Sequence, residues 1–185
     1  MKTFFLLSVV ALLPVILSAL IYLAERTKAI RKLPYAVRQL LIGVLFGGLA
    51  ILGTEFGIKT DGAIINARDA SPICAGLLFG APAGIIAGLI GGVERWFAVL
   101  WGAGQYTRLA CSISTVLAGV FAAVLRKFMF DNKKPKWYYC LATATITEVI
   151  HMLMIFLTNM TDARTAFSFV RTCSLPMIAV NSLAV

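Results

Sequence analysis

Acidic residues are scarce in this chain, histidine is scarcer, and paired cysteines are missing. Eight of the 185 residues are Asp or Glu, one is His, and 14% are charged. That is too little polar surface for a soluble domain of this length. The four cysteines, Cys74, Cys111, Cys140 and Cys173, form no CxxC pair, so the zinc and disulfide patterns are absent and no metal site is expected. The sequence holds no hydrolytic triad, phosphate loop or zinc motif. Catalysis is therefore not expected within these residues, and no cofactor is indicated.

What is abundant is apolar sequence. Hydrophobic residues make up 60% of the chain and the mean hydropathy is +0.90. The length allows about six or seven membrane crossings at about 20 residues each, with no room for a soluble catalytic domain. The reading is an all-α polytopic membrane bundle, one unit over residues 1–185. Lys2 followed by the apolar run from Phe4 to Ala24 resembles a leader peptide. The run is long for one and lacks a small-residue cleavage site, so residues 1–24 are taken as a first span. The apolar run reaching Val185 holds Asn181, and a cytoplasmic domain is expected to follow it.

The net charge of +9 is unevenly placed. Ten of the seventeen bases fall in two short runs: Arg26, Lys28, Arg31, Lys32 and Arg38, then Arg126, Lys127, Lys133, Lys134 and Lys136. Neither run has aromatics spaced to stack bases, which argues against nucleic acid as a partner. Both suit cytoplasmic loops of a multi-pass membrane protein in contact with lipid.

If both runs are cytoplasmic, an even number of crossings separates them. Counting apolar runs gives three, Gln39 to Thr54, Ser71 to Val93 and Leu109 to Leu125. The conflict resolves at Gly80-Ala81-Pro82, because proline disfavours helix at its predecessor and glycine tolerates the turn. Splitting there predicts a short helix from about Arg68 to Phe79 and a longer one from Pro82 to about Leu100. Twelve residues span ~18 Å, short of a ~30 Å hydrocarbon core. Such discontinuous helices are tolerated where they line a cavity, and their N-terminal amides favour an anion. This topology puts the N-terminus outside and the C-terminal end in the cytoplasm. Glycines at 76, 80, 84, 88 and 92 predict close helix packing.

The stretch from Asn66 to Arg95 carries the most chemistry. Arginine at membrane depth costs about 2.5 to 3.5 kcal/mol on insertion scales and usually faces a partner or a wet cavity. Arg68 opens the short helix and Arg95 lies near the outer end of the next. Arg108, Cys111 and Ser114 share one helical face, and Glu148 and His151 another. Two guanidinium forks suit a carboxylate, with a thiol and a hydroxyl left for a neighbouring oxygen. The expected ligand is a small anionic metabolite, with Asn66, Arg68, Arg95, Cys111, Ser114, Glu148 and His151 as candidate contacts. The alternative is structural: Arg68 paired with Asp69 or Asp61, and Arg95 with Glu94, as salt bridges. For Arg108 and Arg171, nearest the helix ends, that plain role is expected.

Asn66-Ala67-Arg68-Asp69, then Gly76-Leu77-Leu78-Phe79-Gly80-Ala81-Pro82-Ala83-Gly84, then Ala87-Gly88-Leu89-Ile90-Gly91-Gly92 and Glu94-Arg95, with Glu148-Val149-Ile150-His151-Met152 downstream, resemble the membrane receptor domain of the LytS and YhcK type. The resemblance covers about Gln39 to Val185 and makes residues 39–185 the receptor core. It implies a sensor whose spans bind an outside signal and drive a cytoplasmic histidine kinase, diguanylate cyclase or phosphatase, with a homodimer formed through that output domain. Some members respond to pyruvate, and the family's set of two arginines, a cysteine and a serine maps onto Arg68, Arg95, Cys111 and Ser114. A rival likeness is to the integral substrate-binding subunits of energy-coupling-factor importers, which share a short helix, a Gly-x-Pro turn and a glycine-rich helix.

Overall fold

The computed structural model describes residues 2–27, 32–60, 63–102 and 104–185. Lys28 and Arg31 of the first basic run, and Asp61, lie outside the described residues. Seven helices follow in order: α1 (Lys2–Ala24), α2 (Tyr35–Glu55), α3 (Ala70–Cys74, prolonged by a π-helical turn, Ala75–Phe79), α4 (Ala81–Phe97, followed by a 3-10 turn, Ala98–Leu100), α5 (Arg108–Phe128), α6 (Trp137–Thr158) and α7 (Ala163–Leu183). Between α2 and α3 sits a small antiparallel hairpin, β1 (Ile58–Thr60) and β2 (Ala63–Ile65), in which Ile58 faces Ile65. The fold is an all-α membrane bundle.

Among the described residues, four helical stretches are long and apolar enough to cross a membrane: Tyr35–Glu55, Ala81–Leu100, Arg108–Phe128 and Trp137–Thr158. Their outer faces carry bare aliphatic side chains, as with Leu40, Leu41, Val44 and Leu45 on α2, while Ile42, Gly43, Phe46, Gly47 and Ala50 turn inward. Bulky residues facing lipid and small ones facing neighbouring helices are what close backbone approach in a bilayer requires. The apolar run that holds Asn181 belongs to a helix that begins at Ala163 and carries Arg164 and Arg171.

The chain breaks where the proline argument puts it. Gly80 adopts φ 149°, a conformation that only glycine takes freely. Its amide closes the π turn on the Ala75 carbonyl at 3.1 Å, and Pro82 enters the first turn of α4, where its missing N–H costs nothing. A helix ending inside a bilayer must still satisfy its last carbonyls. Two side chains do this. The Arg126 guanidinium donates to the Leu77 carbonyl. Gln39 Nε2 donates to the Phe79 carbonyl at 3.0 Å, and its Oε1 accepts from the Ala83 amide at 3.2 Å. Gln39 thus bridges the break from α2. Because α3 is wrapped by its neighbours, with every residue from Ala70 to Leu77 buried, its ends never meet lipid.

α4 nests between α3 and α5 on the glycine series. A Cβ at Gly84 would sit 2.5 Å from the Gly76 Cα, one at Gly88 would sit 3.0 Å from the Thr115 carbonyl, and one at Gly92 would sit 2.8 Å from the Ser112 carbonyl. Backbone cannot move aside as a side chain can. Gly84→Ala should therefore destabilise the chain by about 1 to 3 kcal/mol, read as a lower thermal midpoint in detergent. Gly48→Ala, where nothing lies within 4 Å, should be neutral or slightly stabilising.

The two basic runs meet at one end of the bundle. Glu25 lies 4.0 Å from Arg38 and 3.9 Å from Lys134, and Lys134 also sits over the Tyr22 ring at 4.5 Å. Between them run α2, α3, α4 and α5, with reversals at the hairpin, at Gly80 and between α4 and α5. An even number of helices thus separates the two basic runs because α3 turns back at Gly80.

Candidate ligand-binding site

The hairpin delivers the chain from α2 back into the bundle, and a turn at Asn66 sets the next side chains. Asn66 Nδ2 donates to the Ile64 carbonyl at 2.9 Å, and its Oδ1 accepts from the Arg68 amide at 3.1 Å. Its carboxamide is spent on shaping this turn. On the far side, Asn181 of α7 clamps the same segment. Its Oδ1 accepts from the Ala70 amide at 2.9 Å, and its Nδ2 donates to the Asn66 carbonyl at 3.0 Å and the Met177 carbonyl at 3.1 Å. Arg68 and Asp69 are thereby held between two asparagines, and both are fully buried.

Around them a polar network closes. Arg68 Nε donates to Thr115 Oγ1 at 2.6 Å, Nη1 to Thr54 Oγ1 at 3.3 Å and Nη2 to the Cys111 carbonyl at 3.4 Å. Thr115 Oγ1 in turn donates a hydrogen bond to Asp69 Oδ1 at 2.6 Å, and Arg68 Nε lies 3.5 Å from that oxygen. The second Asp69 oxygen takes Nδ1 of His151 at 2.7 Å, and Nε2 of that ring meets Cys111 Sγ at 3.3 Å. Two helices, α5 and α6, and the α3 entry segment thus contribute one chain of contacts: Arg68, Thr115, Asp69, His151, Cys111. Its members are at most 4% exposed. A charge so placed is tolerated only when paired and hydrogen-bonded.

Arg95 comes from the end of α4 and is also fully buried. Its Nη2 donates to the Gly104 carbonyl at 2.6 Å and to Thr107 Oγ1 at 3.4 Å, while Nε and Nη1 have no hydrogen-bond partner among the described residues. Glu148, one turn before His151, is fully buried with neither oxygen hydrogen-bonded, and Oε2 lies 4.0 Å from His151 Nδ1.

The structure therefore brings together Arg68, Arg95, Cys111, His151 and Glu148. Ser114 lies elsewhere. It lines an apolar groove of about 230 Å³ with Leu117, Val120, Phe121, Val124, Thr147 and Ile150. One residue is 100° of helical turn, and it is Thr115, at i+4 from Cys111, that stays over the buried centre. Of the structural alternatives, Arg68 does pair with Asp69, inside the bundle rather than at an interface. Arg95 makes no ion pair with Glu94 among those of the described residues, and Arg108 stacks on the Trp96 ring at 3.9 Å.

Asp69, Glu148 and His151 each place one donor atom within 4.8 Å of the others. This spacing alone would suit a cation. The Arg68 guanidinium on the same carboxylate repels one, and the short Asp69–His151 bond already fills the best donor pair. The unpaired N–H groups on Arg95, a fully buried guanidinium, suit an anion.

Residues 21–185 match the protein family described as 5TMR of 5TMR-LYT. The chain belongs to this family. Its similar relatives include the sensor histidine kinases BtsS of Escherichia coli strain K12, 27% identical over 148 residues, and YpdA of the same strain, 25% identical over 169 residues. The sensor protein LytS of Bacillus cereus is 30% identical over 145 residues. These alignments cover 78%, 91% and 76% of the present chain, but 26%, 29% and 23% of the respective relatives. The chain thus spans about a quarter of the length of those relatives. No solved structure matches it significantly. Family and fold together make this a multi-span membrane protein with a transmembrane sensor role, and they favour the receptor likeness over the importer subunit.

Proposed function

We propose that residues 1–185 form one sensory domain, with 1–24 as first span and 39–185 as receptor core, that binds a small carboxylate of the pyruvate kind. The hairpin end faces the outside of a bacterial inner membrane and the basic end faces the cytoplasm, following the positive-inside rule. The signal passes to a cytoplasmic histidine kinase or other output domain, through which the protein dimerises. The observation that carries this reading is Arg95, a fully buried guanidinium with two unpaired nitrogens beside the Arg68–Asp69–His151 chain. A carboxylate arriving there replaces the Gly104 carbonyl on Nη2 and gives Nη1 an acceptor, forming the bidentate pair that arginine favours. The test is calorimetric titration of the chain in lipid nanodiscs with pyruvate and with its neutral amide. Saturable heat from the acid alone is expected; equal binding of the amide would oppose the reading.

A ligand shifts a conformational equilibrium only by binding one state better than the other. Asn181 connects the site to α7, because it holds the backbone on both sides of Arg68 and Asp69. Asn181→Ala leaves the buried Ala70 amide and Asn66 carbonyl without those partners, at a cost of about 1 to 3 kcal/mol. In the intact receptor it should lower the ligand-dependent change in output several-fold more than it lowers affinity, measured by titrating output and binding side by side. Reporter fusions after Leu33 and after Lys134 should both report cytoplasm; opposite sides would contradict the assigned orientation.

A further inference from the structure

The contact chain from Asp69 through His151 to Cys111 has an order that simple anion binding does not need. Asp69 Oδ2 accepts from Nδ1 of His151 at 2.7 Å, which fixes the tautomer and leaves the Nε2 lone pair facing Cys111 Sγ at 3.3 Å. A carboxylate orienting an imidazole that in turn receives the proton of a nucleophile is the arrangement of activated thiols and hydroxyls. A cation also stands beside this residue, since Arg68 Nη2 donates to the Cys111 carbonyl at 3.4 Å. The second observation is independent of the thiol. Arg95, fully buried, has Nε and Nη1 unpartnered among the described residues, which gives an anionic group a place to bind.

A carboxylate carbon is a poor electrophile, and a saturated acid offers the sulfur nothing to attack. A 2-oxo acid does, because its ketone carbon is bonded directly to the carboxylate that Arg95 would grip. We infer that Cys111 captures 2-oxo acids as a reversible thiohemiketal, with His151 moving the proton and Asp69 orienting the ring. Cys111 S–H gives its proton to His151 Nε2. The sulfur pair forms an S–C bond to the ketone carbon as the carbonyl π pair moves to oxygen. The imidazolium returns the proton to that oxygen. No atom is lost and nothing is oxidised or reduced, so release is the same path reversed. The chain thereby separates 2-oxo acids from 2-hydroxy acids of the same size and charge. This inference rests on the carboxylate site proposed above.

The test uses pyruvate carrying 13C at the ketone carbon, bound to the chain in nanodiscs and observed by NMR, beside unlabelled lactate as competitor. A bound tetrahedral carbon is expected in the unaltered protein. Hydrated pyruvate has a carbon of the same geometry, so Cys111→Ser is the control. In this variant the tetrahedral signal should vanish while pyruvate still binds, and the preference for pyruvate over lactate should fall at least about tenfold. His151→Gln should slow adduct formation without removing carboxylate binding. Slower alkylation of Cys111 by a small thiol reagent at saturating pyruvate than at saturating lactate provides a readout in the unaltered protein. Binding of pyruvate with its carbon still a ketone, or equal preference for lactate, would overturn the covalent step and leave the carboxylate site standing. Failure of pyruvate and lactate alike to bind would overturn both.

Discussion

Arg68→Ala should be among the most destabilising single substitutions in the chain. The guanidinium and the Asp69 carboxylate are both fully buried, and the arginine also donates to Thr115, Thr54 and the Cys111 carbonyl. Removing one partner leaves the other as a buried charge without its counter-ion, which costs about 3 to 5 kcal/mol. Asp69→Asn keeps the shape but loses the charge that His151 and Arg68 share, and should cost less. The double variant Arg68→Ala/Asp69→Asn should be more stable than the sum of the two predicts, by about 0.5 to 3 kcal/mol. Thermal unfolding in a single detergent, followed by circular dichroism, gives all four corners of the cycle. Additive losses would show that the two side chains do not share one network.

Much of this arrangement was legible before any coordinates. Gly80-Ala81-Pro82 announced the break because proline chemistry is local, and two basic runs demanded an even number of passes between them. Arg68 and Arg95 stood out because charge at membrane depth is costly whatever surrounds it. Asp69 was visible only as a salt-bridge candidate, since adjacency to Arg68 does not reveal that its second oxygen faces His151, 82 residues away in the chain. Thr54, Thr107 and Thr115 gave no signal at all. A threonine in an apolar helix reads as a hydroxyl satisfied by its own backbone, and only packing shows that Thr115 bridges Arg68 to Asp69 while Ser114 turns toward α6. Asn181 was legible as a polar residue inside an apolar run, but its reach to Asn66 and Ala70 is a tertiary fact. Gln39 and Arg126, which satisfy the end of α3, likewise became meaningful only once that end was placed.

Arg95 supplies the second large effect. Unlike Arg68, it makes no salt bridge among the described residues and bonds only to the Gly104 carbonyl and the Thr107 hydroxyl, so its loss removes binding capacity more than stability. Truncating one member of a buried charge-assisted pair costs about 2 to 5 kcal/mol, which is roughly 30-fold to several-thousand-fold in affinity. Arg95→Lys keeps the charge but loses the planar fork, and should fall between the two. The direct measurement is the heat of pyruvate binding to the chain and to Arg95→Ala in the same nanodiscs, with matched thermal unfolding to confirm the fold. Saturable binding in the first and none in the folded second is the predicted result. Equal affinity in both would contradict the claim that this buried guanidinium receives the ligand.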